Sequence, residues 1–156
     1  MLKDWERYDV SRYVDVGACP PTSGWRSVPV TEDLSTLTIR QELQQLVGKD
    51  DMQRAVVLFH VPPYASHLDR ADLDGRMVDS VPLDVHVGSI AVRRFIEQSH
   101  PYLTLHGHVH ESARLSGHWR QRIGGTWCLS AAHDGPELAA VRFPLEDPEA
   151  AERLLL

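Results

Sequence analysis

Ala55-Val56-Val57-Leu58-Phe59, followed by His60-Val61-Pro62-Pro63-Tyr64, is the stretch on which the fold turns. Its apolar residues are continuous rather than alternating, and two are β-branched. A short run of this kind predicts a strand covered on both faces, the pattern of a parallel strand inside a sheet. Lys49-Asp50-Asp51 bounds it on one side. On the other, Pro62 and Pro63 cannot donate to a ladder, so the strand ends at His60. His60 is thus expected at the C-terminal end of a central strand, the edge where ligands bind in open α/β sheets.

Upstream, Thr38 and Gln41 form a capping-box pattern, Ile39, Leu43, Leu46 and Val47 recur at helical spacing, and Gly48 can close the helix. Downstream, residues 64–88 read as a long loop carrying Asp69, Asp72, Asp74, Asp79 and Asp84. Ser89 can cap a helix over Ile90–Gln98, and His100-Pro101 ends it. Tyr102-Leu103-Thr104-Leu105 is a second strand, running into His106-Gly107-His108-Val109-His110. Strand, helix, strand in this order predicts two neighbouring parallel strands. The last third reads as β-rich, a meander through Trp119–Ile123, Thr126–Ser130 and Leu138–Phe143, with a terminal helix over Pro148–Leu156. Residues 1–37 read as an irregular connecting segment, more like the middle of a chain than its beginning. The class is α/β, and residues 1–156 are expected to form a single domain.

Composition narrows the function. The chain has 156 residues, with 42% hydrophobic and 24% charged content, which is ordinary for a globular protein and excludes wholesale disorder. No apolar run has the length of a membrane helix, and Met1-Leu2-Lys3-Asp4-Trp5-Glu6-Arg7 is no signal peptide. A net charge of −6 argues against binding a nucleic-acid backbone. Cys19 and Cys128 lie far apart, which suits a reducing, cytoplasmic setting.

Nine histidines are the unusual count. Imidazole binds zinc, iron, nickel, copper and manganese. His108 and His110 are two residues apart, so in extended backbone both project to one face. If the two strands are neighbours, His60 joins them at the sheet edge, and His60, His108 and His110 become candidate metal ligands. His106 could share their face as an outer partner. Asp69 or Asp134 could supply a fourth ligand. His67, His100 and His118 fall in loops and read as solvated. His86, just before the second helix, could help hold an anion. His133-Asp134 could orient an imidazole, but no Gly-x-Ser-x-Gly elbow accompanies it.

Phe59-His60-Val61-Pro62-Pro63-Tyr64, Leu68-Asp69, His86-Val87-Gly88-Ser89 and Leu105-His106-Gly107-His108-Val109-His110-Glu111-Ser112 resemble the calcineurin-like metallophosphoesterases, in their small prokaryotic branch. The resemblance implies a metal-dependent hydrolase of phosphate monoesters or diesters on an α/β sandwich. It implies two divalent ions, manganese, iron, zinc or nickel, with His60 and His108 on one and His110 on its neighbour. The family's Asp-x-His, Gly-Asp and Gly-Asn-His/Asp motifs do not occur here. The chain therefore resembles the C-terminal half of such an enzyme. On that reading it binds one ion or none, turns over little alone, and forms a homo-oligomer or pairs with a missing N-terminal half. A non-catalytic metal-binding or interaction module built on the same scaffold is the alternative.

Overall fold

Thr38 opens the first helix as its spacing predicts. Its hydroxyl accepts the Gln41 backbone N–H, and the Gln41 side chain accepts from the Thr38 N–H. This caps α1 (Ile39–Val47), which closes at Gly48 with φ of 56°. The computed structural model describes residues 38–156, so the connecting segment expected over 1–37 lies outside the described residues. After α1 come β1 (Val56–Leu58), a 3-10 turn (His67–Asp69), and a small hairpin of β2 (Met77–Val78) and β3 (Val81–Pro82). Next are α2 (Ile90–Ser99), β4 (Leu103–His106), α3 (Ser112–Ser116), β5 (Arg120–Ile123), β6 (Thr126–Ser130), β7 (Ala139–Arg142) and β8 (Glu152–Leu155).

β1 and β4 pair in parallel, with Val56 opposite Leu103 and Leu58 opposite Leu105. Helix α2 is the crossover between them, capped by the Ser89 hydroxyl on the Val92 N–H. β4 pairs in parallel with β6, and β6 antiparallel with β5, giving the order β1-β4-β6-β5. On one face Leu68, Val92, Phe95, Ile96, Ile123 and Cys128 form a core to which α1 adds Ile39, Leu43 and Val47. On the other, Leu103, Leu129 and Ala151 pack with Trp119, Trp127, Val141 and Phe143. The mixed α/β class is as expected. No helix among the described residues is long and apolar enough to cross a membrane.

Three expectations are corrected. Among the described residues β1 ends the strand order rather than lying inside it, and Leu58 is 76% exposed. Its apolar run reflects packing of Val57 and Phe59 on the helix side, while Val56 and Leu58 are exposed. The C-terminal residues form no helix. Only Pro148–Ala150 turns, and β8 then pairs with β7 as a separate two-stranded sheet, braced by an Arg142–Glu152 contact of 2.6 Å. A short leucine run does not distinguish helix from strand; pairing with distant β7 decides it. For the same reason the last third is no meander: β5 and β6 make a hairpin, but β7 leaves that sheet. The 64–88 loop also has structure of its own, the 3-10 turn and the β2–β3 hairpin.

His106 anchors the end of β4. Its Nδ1 lies 3.1 Å from the Val61 carbonyl and its Nε2 2.8 Å from the Thr104 hydroxyl, and its ring stacks on Phe59. Burial pushes its pKa down to about 4, against the opposing hydrogen bond to Val61. The native state thus refuses a proton that the unfolded chain accepts, so stability is fully present above pH 6.5 and is lost as pH falls toward 4. Denaturant melts between those values should show a loss of roughly 3 kcal/mol. The variant His106→Gln should lose much less over the same range; an undiminished loss would assign the acid sensitivity to other groups.

Candidate functional site

The ends of β1 and β4 are tied together by backbone. Phe59 N–H donates to the Leu105 carbonyl at 2.9 Å, and Gly107 N–H to the His60 carbonyl at 3.1 Å. Immediately beyond, Val109 N–H donates to the Gly107 carbonyl at 3.0 Å, closing a three-residue turn around His108. His108 has φ of 72°. This is the strained form of γ-turn, rare for a residue with a side chain, and it holds on the order of 1–3 kcal/mol.

The turn aims His108 at His60. Nδ1 of His108 lies 2.9 Å from Nε2 of His60, with the ring centroids 4.7 Å apart and the rings nearly perpendicular. At that distance one nitrogen donates and the other accepts, so the neutral pair shares a single proton. Burial, the most important cause, lowers the His108 pKa. The positive charges of His60 and His110 lower it further, and Glu111 opposes them. Burial and the neighbouring imidazoles thus hold His108 toward its neutral form at the C-terminal rim, where its Nδ1 faces Nε2 of His60.

His60 and His108 are brought together as expected; His110 is not assembled with them in the expected way. The argument from extended backbone fails because the γ-turn interrupts the alternation after β4. His110 instead begins the exposed turn into α3, where its charge still acts on His108. Among the described residues no group of three or more His, Cys, Asp or Glu is arranged to hold a metal ion. His106 is no outer partner of the pair, since Val61 and Thr104 take both its nitrogens. Neither carboxylate considered as a fourth ligand is available. Asp134 pairs with Arg114 at 2.7 Å, and Asp69 is fully buried and already engaged. His133 bonds Glu137 rather than Asp134. His67 and His118 are exposed, but their rings lie 4.5 Å apart, and His100 caps α2 in a left-handed conformation.

Sequence reasoning missed the role of Asp69. Its carboxylate accepts the backbone N–H groups of Ala65 at 3.0 Å, Ser66 at 2.9 Å and Gly88 at 3.1 Å. It also lies 2.7 Å from Nδ1 of His86. One buried side chain thus stitches the start of the 64–88 loop to its end. The Ser66–Asp69 spacing of a capping box was the available signal. Pro62 and Ser89 complete the closure through the Ser89 N–H at 2.8 Å, and Tyr64 donates to Asp84 at 2.6 Å.

Comparison of the chain with protein-family models, with curated proteins and with solved structures finds no match.

Two substitutions test this geometry. A Cβ at Gly88 would stand 2.7 Å from the Pro62 carbonyl oxygen and 2.8 Å from the Asp69 carboxylate. Gly88→Ala should destabilise the protein by about 2 kcal/mol or more in urea melts, and a neutral result would mean that the loop closure is soft. His108→Gly removes the cost of positive φ and should leave stability unchanged or raise it by up to about 1 kcal/mol. A clear drop would show that the ring pair, not the turn, holds this corner together.

Proposed function

We propose that His60 and His108 are part of a divalent-metal centre for the hydrolysis of phosphate esters. The observation that carries the reading is their convergence: two imidazoles from distant stretches meet at the strand ends, one of them held in a strained turn. Strain of this kind persists where the surroundings over-determine it, and it gathers at functional sites. The donor set fits a cation. Two nitrogens each about 2.0–2.1 Å from one tetrahedral zinc ion stand roughly 3.3 Å apart, so the observed 2.9 Å needs only a small opening of the pair. The resemblance of the motifs to the calcineurin-like metallophosphoesterases supports the same chemistry and adds His110 as the ligand of a neighbouring ion.

The chain's own contribution is positional. The Gly107–His60 backbone bond fixes the distance between the two strand ends, and buried His106 braces Val61 beside His60. A bound cation, or a pair, would supply charge for the phosphoryl oxygens and a water of lowered pKa. The remaining ligands, carboxylates above all, we assign to a second polypeptide or another copy seated on the open β1 edge. Exposed Leu58, and the side of β1 that has no partner strand among the described residues, support that placement. The contact of only two ligating rings favours the second reading, a metal-binding module without catalysis.

Metal content after dialysis against Zn²⁺ or Mn²⁺ tests both readings. About one ion per chain is expected, with affinity at least about tenfold lower in His60→Ala and in His108→Ala. Unchanged binding in both variants sinks the site. Hydrolysis of an aryl phosphodiester with Mn²⁺ then separates the two. The enzyme reading expects weak turnover that rises when a polypeptide carrying Asp-x-His and Gly-Asp motifs is added. Metal binding with no turnover under either condition leaves the module.

A further inference from the structure

A cavity of about 470 Å³ opens where the 3-10 turn at His67 meets α3 and β5. Its polar lining is His86, His67, Arg70, Gln121, Ser66 and Ser116. Among the described residues no acidic side chain lines it, in a chain with 22 Asp and Glu against 16 Lys and Arg. The hydroxyl protons of both serines are committed elsewhere, Ser66 to the Pro63 carbonyl and Ser116 to the Ser112 carbonyl, each at 2.7 Å. Gln121 uses its oxygen to accept the His67 backbone N–H at 2.7 Å, which leaves its amide nitrogen to donate. Arg70 is held by Asp74 through one terminal nitrogen, at 2.8 and 2.9 Å.

His86 sets the chemistry. The Asp69 carboxylate, an acceptor to three backbone N–H groups, takes Nδ1–H as its fourth donor. Nε2 is on the opposite side of the ring and turns away from Asp69. A carboxylate placed this way fixes the tautomer and orients the ring, so that Nε2 meets an arriving phosphate either by accepting from its P–OH or by donating to its oxygen. The sequence suggested an anion near His86 through the start of α2. The geometry gives a different reason, because Ser89 already caps that helix.

We propose that this cavity binds the phosphate group of a small molecule, with His86, Arg70, His67 and the Gln121 amide as its donors. The donors come from three separate stretches of chain, the 3-10 turn, the segment before α2 and β5, and their number suits the several oxygens of a phosphoryl group better than the two of a carboxylate. The volume exceeds that of phosphate and falls in the range of small-molecule sites. Leu115 on the wall gives the organic part an apolar surface. The site does not depend on the His60–His108 metal reading.

Calorimetric titration of the full chain with inorganic phosphate in EDTA tests it free of any metal. Saturable binding below about 10 mM is expected, weakened about tenfold or more in His86→Gln. Gln121→Glu keeps the acceptor for the His67 N–H, preserving the loop, but puts a carboxylate into the cavity. It should abolish binding while the melting temperature stays near that of the wild type. The proposal is overturned by no binding in EDTA, by equal binding in folded His86→Gln or Gln121→Glu, or by acetate binding tighter than phosphate. Phosphate binding that appears only when metal is added would also overturn it and assign the anion to the metal centre.

Discussion

The site exists because two parallel strands end level with each other. The hydrogen bonds from Phe59 to Leu105 and from Gly107 to His60 continue the β1–β4 ladder past its last side-chain pair. A parallel ladder of this kind needs a crossover, and α2 supplies it. Once the register is set, His60 and His108 have little freedom to avoid each other. A slip of one residue would turn Val57 and Phe59 out of the helix-side core, so burial of those two residues also enforces the contact between the imidazoles.

The long excursion between the strands is pinned by a different device. Residues 64–88 have few apolar contacts of their own, and much of the stretch from Asp72 to Asp84 is exposed. Asp69 compensates by gathering three backbone donors and an imidazole in a site closed to water. A buried carboxylate is costly unless its lone pairs are met, and here they are. Gly88 is required because the carboxylate and the Pro62 carbonyl occupy the space where a side chain would begin.

Local signals in the sequence carried well. The Thr38–Gln41 box, the Ser89 cap, the stop at His100-Pro101 and the strand–helix–strand unit all depend on neighbours a few residues apart. What failed depends on distant partners. The apolar run of β1 could not reveal that it lies at an edge, because coverage is decided by strands far along the chain. Leu154-Leu155-Leu156 could not reveal a strand until β7 was in place to pair with it. Within the site, His60 and His108 were legible because strand ends localise them. The alternation argument for His110 did not carry over, because it assumed extended backbone through His108, whose positive φ no residue-type preference foretells.

Four histidines thus carry three roles, and each role is set by what the ring nitrogens touch. His106 spends both nitrogens on Val61 and Thr104 and is buried into neutrality, so it can only brace. His60 and His108 turn Nε2 and Nδ1 toward each other, where a cation would take both lone pairs in place of the shared proton, which makes them electron-pair donors. His86 gives Nδ1 to a carboxylate and so turns its other nitrogen into an acceptor or donor on demand. A metal draws on lone pairs and an anion draws on protons, so the two arrangements are not interchangeable. Exchanging the neighbours, rather than the histidines, would exchange the chemistry: it is Asp69 that separates the anion cavity from the imidazole pair.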